Sequence, residues 1–322
     1  TTLAGDEAAG IPLAGEDVSY FEAPIIAGRD VRAATPAPSQ QLFIDPEYEA
    51  QMLAHAEAEA RRWENVRQTR EDLALREAGL EAMAPGLRAS SPWRGLSTVG
   101  DTMTIKVYQS GNVCYDTDAD GTGIYAAINT VVRYIGTSAI YLEDTANPLT
   151  ESFTAAEYAA WDATLSGTTL PVITNYFGEV VNTIPYGGVV GDTLGLDADG
   201  RIGVIVTKEV NKQENLLGFV NPADLVAASL CNMSNQAEVF YGIAPDPDGI
   251  HGTVRMKEYV SDLMPRLVAH EVTHIAQITQ YFYGDAAVKD SWETEGGATL
   301  AEQLVGNAVY GVGSGQNLGR TE

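Results

Sequence analysis

The 322-residue sequence predicts an α+β fold. Segments rich in β-branched and aromatic residues, which are typical of strands, begin near residue 98 and recur to about residue 207. Segments with helical spacing lie before and after them. We therefore divide the chain into an extended arm (1–42), a long charged helix (43–92) and a mixed domain (93–322).

The first two regions contain little that would form a core. Residues 1–42 are rich in Ala, Gly and Pro without a sustained period, so we expect an extended arm. A long N-terminal helix is predicted from residue 46 to about 84, because Asp45-Pro46 is a helix-start pair and Pro85-Gly86 ends the pattern. Its dense charge favours a solvated surface helix, and a partner-binding or dimerising helix is the alternative.

The mixed domain contains four predicted strands and an early helix. The strands are Met103–Tyr108, Asn129–Tyr134, Ala139–Glu143 and Ile202–Val206. The helix is predicted from Phe153 to Leu165, with Thr154 near its start.

The motif His270-Glu271-Val272-Thr273-His274 is the strongest chemical signal in the chain. Histidines four residues apart on a helix point the same way and can hold one zinc ion. Glu271 would lie within reach of a water on that metal. We expect Asp262 to cap this helix and Pro265 to lie in its first turn.

A catalytic zinc site needs a third protein ligand. The pattern HExxHxxGxxH, with a histidine six residues after His274, is excluded, because Gln277 stands at its glycine position and Gln280 at its last histidine. The next predicted helix offers Glu293 and Glu295 instead. Two glycines follow Glu295, and each weakens a helix by about 1 kcal/mol relative to alanine, which indicates that another helix comes close.

The pattern Trp292-x-x-Glu295-Gly296-x-Ala298 resembles the third-ligand helix of the gluzincin metallopeptidases. The order of elements over roughly residues 100–305 is similar to that of the hyicolysin family of secreted bacterial peptidases. The resemblance implies a zincin-like domain, in which a twisted mixed sheet packs on the HExxH helix and its edge strand binds a polypeptide substrate. It also implies Zn²⁺ held by His270, His274 and Glu295, with Glu293 as the second choice.

The same resemblance implies a secreted zinc endopeptidase, in which Glu271 acts as general base on a metal-activated water. One alternative is a non-catalytic surface or matrix protein that retains the fold, and another is a metal-dependent hydrolase with a different substrate. Gluzincins continue into a helical lobe after the third ligand, whereas little of this sequence follows Leu304. We therefore expect a separate C-terminal fragment of the same gene product as a partner.

The resemblance also implies groups that support the ligands and the reacting carbonyl. An acid one turn after the third ligand is usual, but Thr299 stands there, so Glu302 two turns on is the alternative. The candidate oxyanion donors are Tyr310, Tyr283 and His251.

The segment Asp116-Thr-Asp118-Ala-Asp120-Gly121 matches the start of a calcium loop. The glutamate that would close an EF-hand is absent, because Ala127 is the twelfth residue. Ca²⁺ binding and an acidic turn therefore remain alternative interpretations of this segment.

The amino-acid composition limits which partners the protein can bind and where it can be located. A formal net charge of −25 disfavours nucleic acid and anionic membranes, and no apolar run long enough to span a membrane occurs. Cys114 and Cys231 would form one disulfide or remain two buried thiols. We expect a protein of bacterial type that is secreted or at the cell surface, with its leader removed or left out of this sequence.

Overall fold

A computed structural model of the chain describes residues 91–110, 124–180, 199–213, 215–225, 228, 231–283 and 291–311. The chain divides into two units, Thr1–Leu42 and Phe43–Glu322, and all of the described residues belong to the second. The predicted arm, nearly all of the predicted charged helix and the candidate calcium ligands Asp116, Asp118 and Asp120 lie outside the described residues.

The described part is an α+β structure. Its strands are β1 (Thr102–Tyr108), β2 (Tyr125–Ile135), β3 (Ala139–Asp144), β4 (Ile202–Val206), β5 (Gly218–Val220) and β6 (Val239–Gly242). Its α-helices are α1 (Ala155–Thr164), α2 (Leu170–Phe177), α3 (Lys208–Asn211), α4 (Lys257–Tyr283) and α5 (Ser291–Tyr310). One π-helical turn, Leu165–Thr169, joins α1 to α2.

The strands form one mixed sheet in the order β1-β2-β3-β4-β6-β5. The pairs β1/β2, β2/β3 and β5/β6 are antiparallel, whereas β3/β4 and β4/β6 are parallel. β3, β4 and β6 are buried along their whole length, as expected for strands covered on both faces. The terminal strands of the described sheet are β1 and β5.

Four of these strands lie where the sequence predicted them, and α1 also matches its prediction. Thr154 caps α1 in a capping box, in which its hydroxyl accepts from the Glu157 N–H while the Glu157 carboxylate accepts from the Thr154 N–H. β5 and β6 were not predicted. They are three and four residues long and buried throughout, so they lack the apolar–polar alternation that marks a strand.

The sheet curls until the segment before β6 meets β1. The Asn235 side-chain oxygen accepts from the Lys106 N–H at 3.0 Å, and its amide nitrogen donates to the Lys106 carbonyl at 2.8 Å. The Asn235 amide thus takes the place of a neighbouring strand at the exposed edge of β1. We call this pair of hydrogen bonds the Asn235 clasp. Trp93 supports it by donating its indole N–H to the Asn235 carbonyl.

Asp224 holds the clasp from inside the core. Its carboxylate accepts from the Tyr241 hydroxyl at 2.6 Å and from the Asn235 backbone N–H at 2.7 Å. The Asn235 amide also donates to it at 3.0 Å. Burial raises the pKa of Asp224 to about 7, although these donors act in the opposite direction.

The helix α4 contacts β5 and β6, and α5 lies along α4. The expected start of α4 at Asp262 was wrong, because the helix begins at Lys257 and Pro265 lies inside it. The apolar face extends upstream, since Val260 and Met264 are fully buried, and their burial stabilises the extra turns despite the proline.

No helix in the described residues has both the length and the apolar character needed to cross a bilayer. Cys231 is disulfide-bonded, and the other cysteine of the sequence, Cys114, lies outside the described residues.

Candidate metal centre

Three side chains from α4 and α5 converge on one point in the interior. His270 and His274 lie one turn apart on α4, and Glu295 comes from the first turns of α5. All three are buried, with 1%, 1% and 7% of their surfaces exposed. Among the described residues they form the group of histidine, cysteine and acidic side chains that could hold a metal ion.

The three ligand atoms lie close enough together to hold one metal ion. The two histidine Nε2 atoms lie 3.1 Å apart, and the Glu295 oxygens lie 3.3 Å from His270 Nε2 and 3.4 Å from His274 Nε2. Metal–ligand bonds of about 2.0–2.2 Å in a tetrahedral site place neighbouring ligand atoms roughly 3.3–3.6 Å apart. The two distances to Glu295 lie in this range and the distance between the histidine nitrogens is slightly shorter, so one small metal ion can contact all three atoms.

Hydrogen bonds at the Nδ1 atoms of His270 and His274 determine the tautomers of the two rings. His270 Nδ1 lies 2.8 Å from a Glu302 carboxylate oxygen, and His274 Nδ1 lies 2.8 Å from Gln277 Oε1. Both partners are acceptors, so in the neutral rings Nδ1 holds the proton and Nε2 presents a lone pair. Two lone pairs at 3.1 Å repel unless a proton or a metal ion lies between them, and two imidazoles with one carboxylate are a donor set that fits a metal ion.

Gln277 joins the two helices as well as orienting a ligand. Its Nε2 donates to the Thr294 carbonyl on α5 at 3.1 Å, and this bond fixes which end of the amide faces His274. On the other side, Arg266 donates to the second oxygen of Glu302 at 3.0 Å. Each histidine is thus oriented by a side chain, Glu302 or Gln277, that makes a second hydrogen bond of its own.

The electrostatics favour a positive charge at this point. Burial acts to lower the pKa of His270, but hydrogen bonds to Glu295 and Glu302 raise it well above its usual range. Burial acts to raise the pKa of Glu295, but His274 and His270 outweigh burial and lower it. Both carboxylates are therefore held in the ionised form by the positive charge that they in turn stabilise.

Glu271 lies between the ligands in sequence and is fully buried. Its negative charge acts to raise the pKa of His270. Helix geometry turns it about 100° from His270, beside the ligand pair rather than in line with it. A carboxylate in this position can take a proton from a water at the metal.

Several other expected site residues do not join the cluster. Glu293 is half-buried and is not part of the metal-binding group, which contains Glu295. Thr299 is exposed, and Glu302 makes the hydrogen bond to the histidine instead. Tyr310 is 72% exposed and stands 15 residues beyond Glu295, about 22 Å along α5.

Of the two remaining oxyanion candidates, the structure describes the side chain of His251 only, and His251 is not part of the metal-binding group. His251 lies in the loop before α4 and donates its backbone N–H to Asp246 at 2.7 Å. The side chain of Tyr283 lies outside the described residues.

Sequence reasoning missed Gln277 and Arg266. In the sequence, Gln277 served only to exclude the HExxHxxGxxH pattern. Its spacing of three residues from His274 nevertheless puts both side chains on one helix face. Arg266, four residues before His270, carries the same signal.

The comparisons leave the site without a family attribution. No protein-family model matches the chain, and no curated protein shows significant sequence similarity to it.

Proposed function

We propose that this chain is a secreted zinc-dependent endopeptidase of the gluzincin type. The observation that supports the proposal is the close spacing of the buried His270, His274 and Glu295, together with the buried carboxylate of Glu271 next to His270 in the chain. Three protein ligands leave one position of a tetrahedral ion for water or substrate, which is catalytic rather than structural coordination.

Bound at this point, Zn²⁺ would lower the pKa of a water ligand and polarise the carbonyl of a substrate. Glu271 accepts a proton from the water as the water oxygen attacks the scissile carbonyl carbon. As the C–N bond breaks, Glu271 delivers that proton to the leaving nitrogen, and the second water proton passes from the new carboxylic acid to the amine, giving a carboxylate and an ammonium. Glu302 and Gln277 hold the imidazoles with Nε2 inward throughout.

Metal analysis combined with casein hydrolysis tests the proposal. Wild-type protein is compared with Glu271→Gln, which preserves size and removes the base, and with Glu258→Gln, which changes an exposed glutamate on the same helix. We expect one zinc per chain in all three proteins. Hydrolysis should fall at least about 100-fold in Glu271→Gln only, as loss of a general base predicts.

The other outcomes separate the alternatives. Zinc binding without hydrolysis in any of the three proteins would favour a non-catalytic surface or matrix protein that keeps the site. Failure to bind zinc after reconstitution would refute the ligand assignment. Hydrolysis that persists in Glu271→Gln would leave the zinc ligands intact and remove Glu271 from the reaction.

A further inference from the structure

Glu238 is a buried acid outside the metal centre. It lies immediately before β6, and 7% of its surface is exposed. Its Oε2 atom is buried without a hydrogen-bond partner. Buried carboxylates almost always have partners, so an unsatisfied one requires a proton, an ordered water or an ion.

A second acid, Asp199, precedes β4 at the same end of the sheet as Glu238. The two residues lie at the amino-terminal ends of adjacent parallel strands, because Gly203 of β4 pairs with Val239 of β6. The Gly203 N–H donates to the Glu238 carbonyl at 2.8 Å, which fixes the Glu238 backbone beside β4. Burial raises the pKa of Glu238 to about 8, and the charge of Asp199 acts in the same direction.

Asp199 lies in a tight turn just before β4. Its Oδ1 accepts from the Arg201 N–H at 2.7 Å, and Gly200 between them has φ +71. This tight turn presents the carboxylate at the strand end, where Asp199 is half-buried and open to solvent on one side. An ion could therefore reach the pair from solvent.

We propose that Glu238 and Asp199 are two ligands of a divalent-cation site of the calcium type, at the amino-terminal ends of β4 and β6. Both ligands are hard carboxylate oxygens, and neither histidine nor cysteine contributes, which favours Ca²⁺ over zinc. Backbone carbonyls and water would complete the six to eight oxygen ligands that Ca²⁺ usually takes. The ion would replace the repulsion between the two acids by a bridge between adjacent strands.

The test measures Ca²⁺-dependent thermal unfolding and Tb³⁺ luminescence. The background protein carries Asp116→Asn, Asp118→Asn and Asp120→Asn, which silences the other candidate calcium segment. One equivalent of Zn²⁺ is added so that Tb³⁺ does not occupy the histidine centre. Trp93 packs against Gly203 and can sensitise Tb³⁺ bound beside this strand.

We expect Ca²⁺ to raise the unfolding midpoint of the background protein. Adding Glu238→Gln should raise the half-saturating Ca²⁺ concentration at least ten-fold and remove the sensitised Tb³⁺ emission. Asp199→Asn should weaken binding similarly while keeping an oxygen for the Arg201 N–H, so it provides a second variant if Glu238→Gln does not fold. Glu258→Gln, the exposed control, should leave both signals unchanged.

Two results would overturn the proposal. One is a Ca²⁺ effect that is the same with and without Glu238→Gln. The other is the absence of any Ca²⁺ effect in the background protein, which would make Glu238 a protonated buried acid.

Discussion

Gly296 and Gly297 are adjacent in α5, yet their surroundings differ. A Cβ built on Gly297 would lie 2.7 Å from Gln277 Nε2, whereas nothing lies within 4 Å of a Cβ on Gly296. Gly297→Ala and Gly296→Ala are therefore a matched pair. Both replace glycine by alanine in the same helix turn, and only Gly297→Ala meets the neighbouring helix.

The magnitudes follow from the contacts. Either substitution gains up to about 1 kcal/mol of helix propensity. In Gly297→Ala, Gln277 must withdraw from its bonds to the Thr294 carbonyl and to His274 Nδ1, each worth about 1 kcal/mol. We expect Gly296→Ala to stabilise the metal-free protein by up to about 1 kcal/mol and Gly297→Ala to destabilise it by a similar amount.

Zinc affinity provides an independent measurement. A ligand histidine that loses its orienting partner typically loses about 10- to 100-fold in metal affinity. We expect that loss in Gly297→Ala and none in Gly296→Ala, measured by competition with a chromogenic chelator. Urea unfolding of chelator-treated protein gives the stabilities. Equal stability and equal zinc affinity in the two variants would refute the role given to Gln277.

Three further variants probe the ligand shell, the curled sheet and the acid pair. Glu302→Gln removes the charge behind His270, so zinc affinity measured by chelator competition should fall about ten-fold; an unchanged affinity would contradict the role assigned to Glu302. Asn235→Ala leaves the Lys106 N–H and carbonyl without the clasp, so urea unfolding should show a loss of about 3 kcal/mol, and a loss below about 0.5 kcal/mol would remove the clasp as a stabilising feature. The pKa of Glu238 is about 8 in the folded state, against an ordinary value of 4.5, so folding takes up a proton at pH values between the two. The contribution of this group to the free energy of unfolding therefore falls as the pH rises from 4.5 and is lost once the pH has passed 8. In chelator, the stability of Glu238→Gln relative to wild type should therefore increase between pH 5 and pH 9, by at most about 4 kcal/mol, since the three pH units from 5 to 8 each contribute about 1.36 kcal/mol. A stability difference that does not change with pH would refute this.

The local part of the candidate site follows from the sequence. His270 and His274 meet because i and i+4 share a helix face, and this spacing is visible without any tertiary information. Glu302 lies seven residues after Glu295, again on one face, so one helix can present both carboxylates. Gln277 was not assigned a role, because a neutral amide carries no signal until its partner across the helix pair is known.

The rest depends on contacts between distant residues. β6 is four buried residues, and its place between β4 and β5 follows from strand pairing that short-range patterns do not contain. The approach of Asp199 to Glu238 depends on that pairing. Pro265 illustrates a local signal that packing overrides, since it reads as a first-turn residue but lies inside α4.

The Asn235 clasp also bears on the order in which the protein folds. Its two partners are 129 residues apart in the chain, whereas Gln277 and Thr294 are 17 apart and His270 and Glu302 are 32 apart. Closing the longer loop costs more chain entropy, and contacts of high sequence separation form slowly. The helical hairpin that holds the ligands can therefore assemble early, while closure of the sheet waits for contacts across most of the domain. A folding chain would then acquire its capacity to capture metal before its sheet has closed.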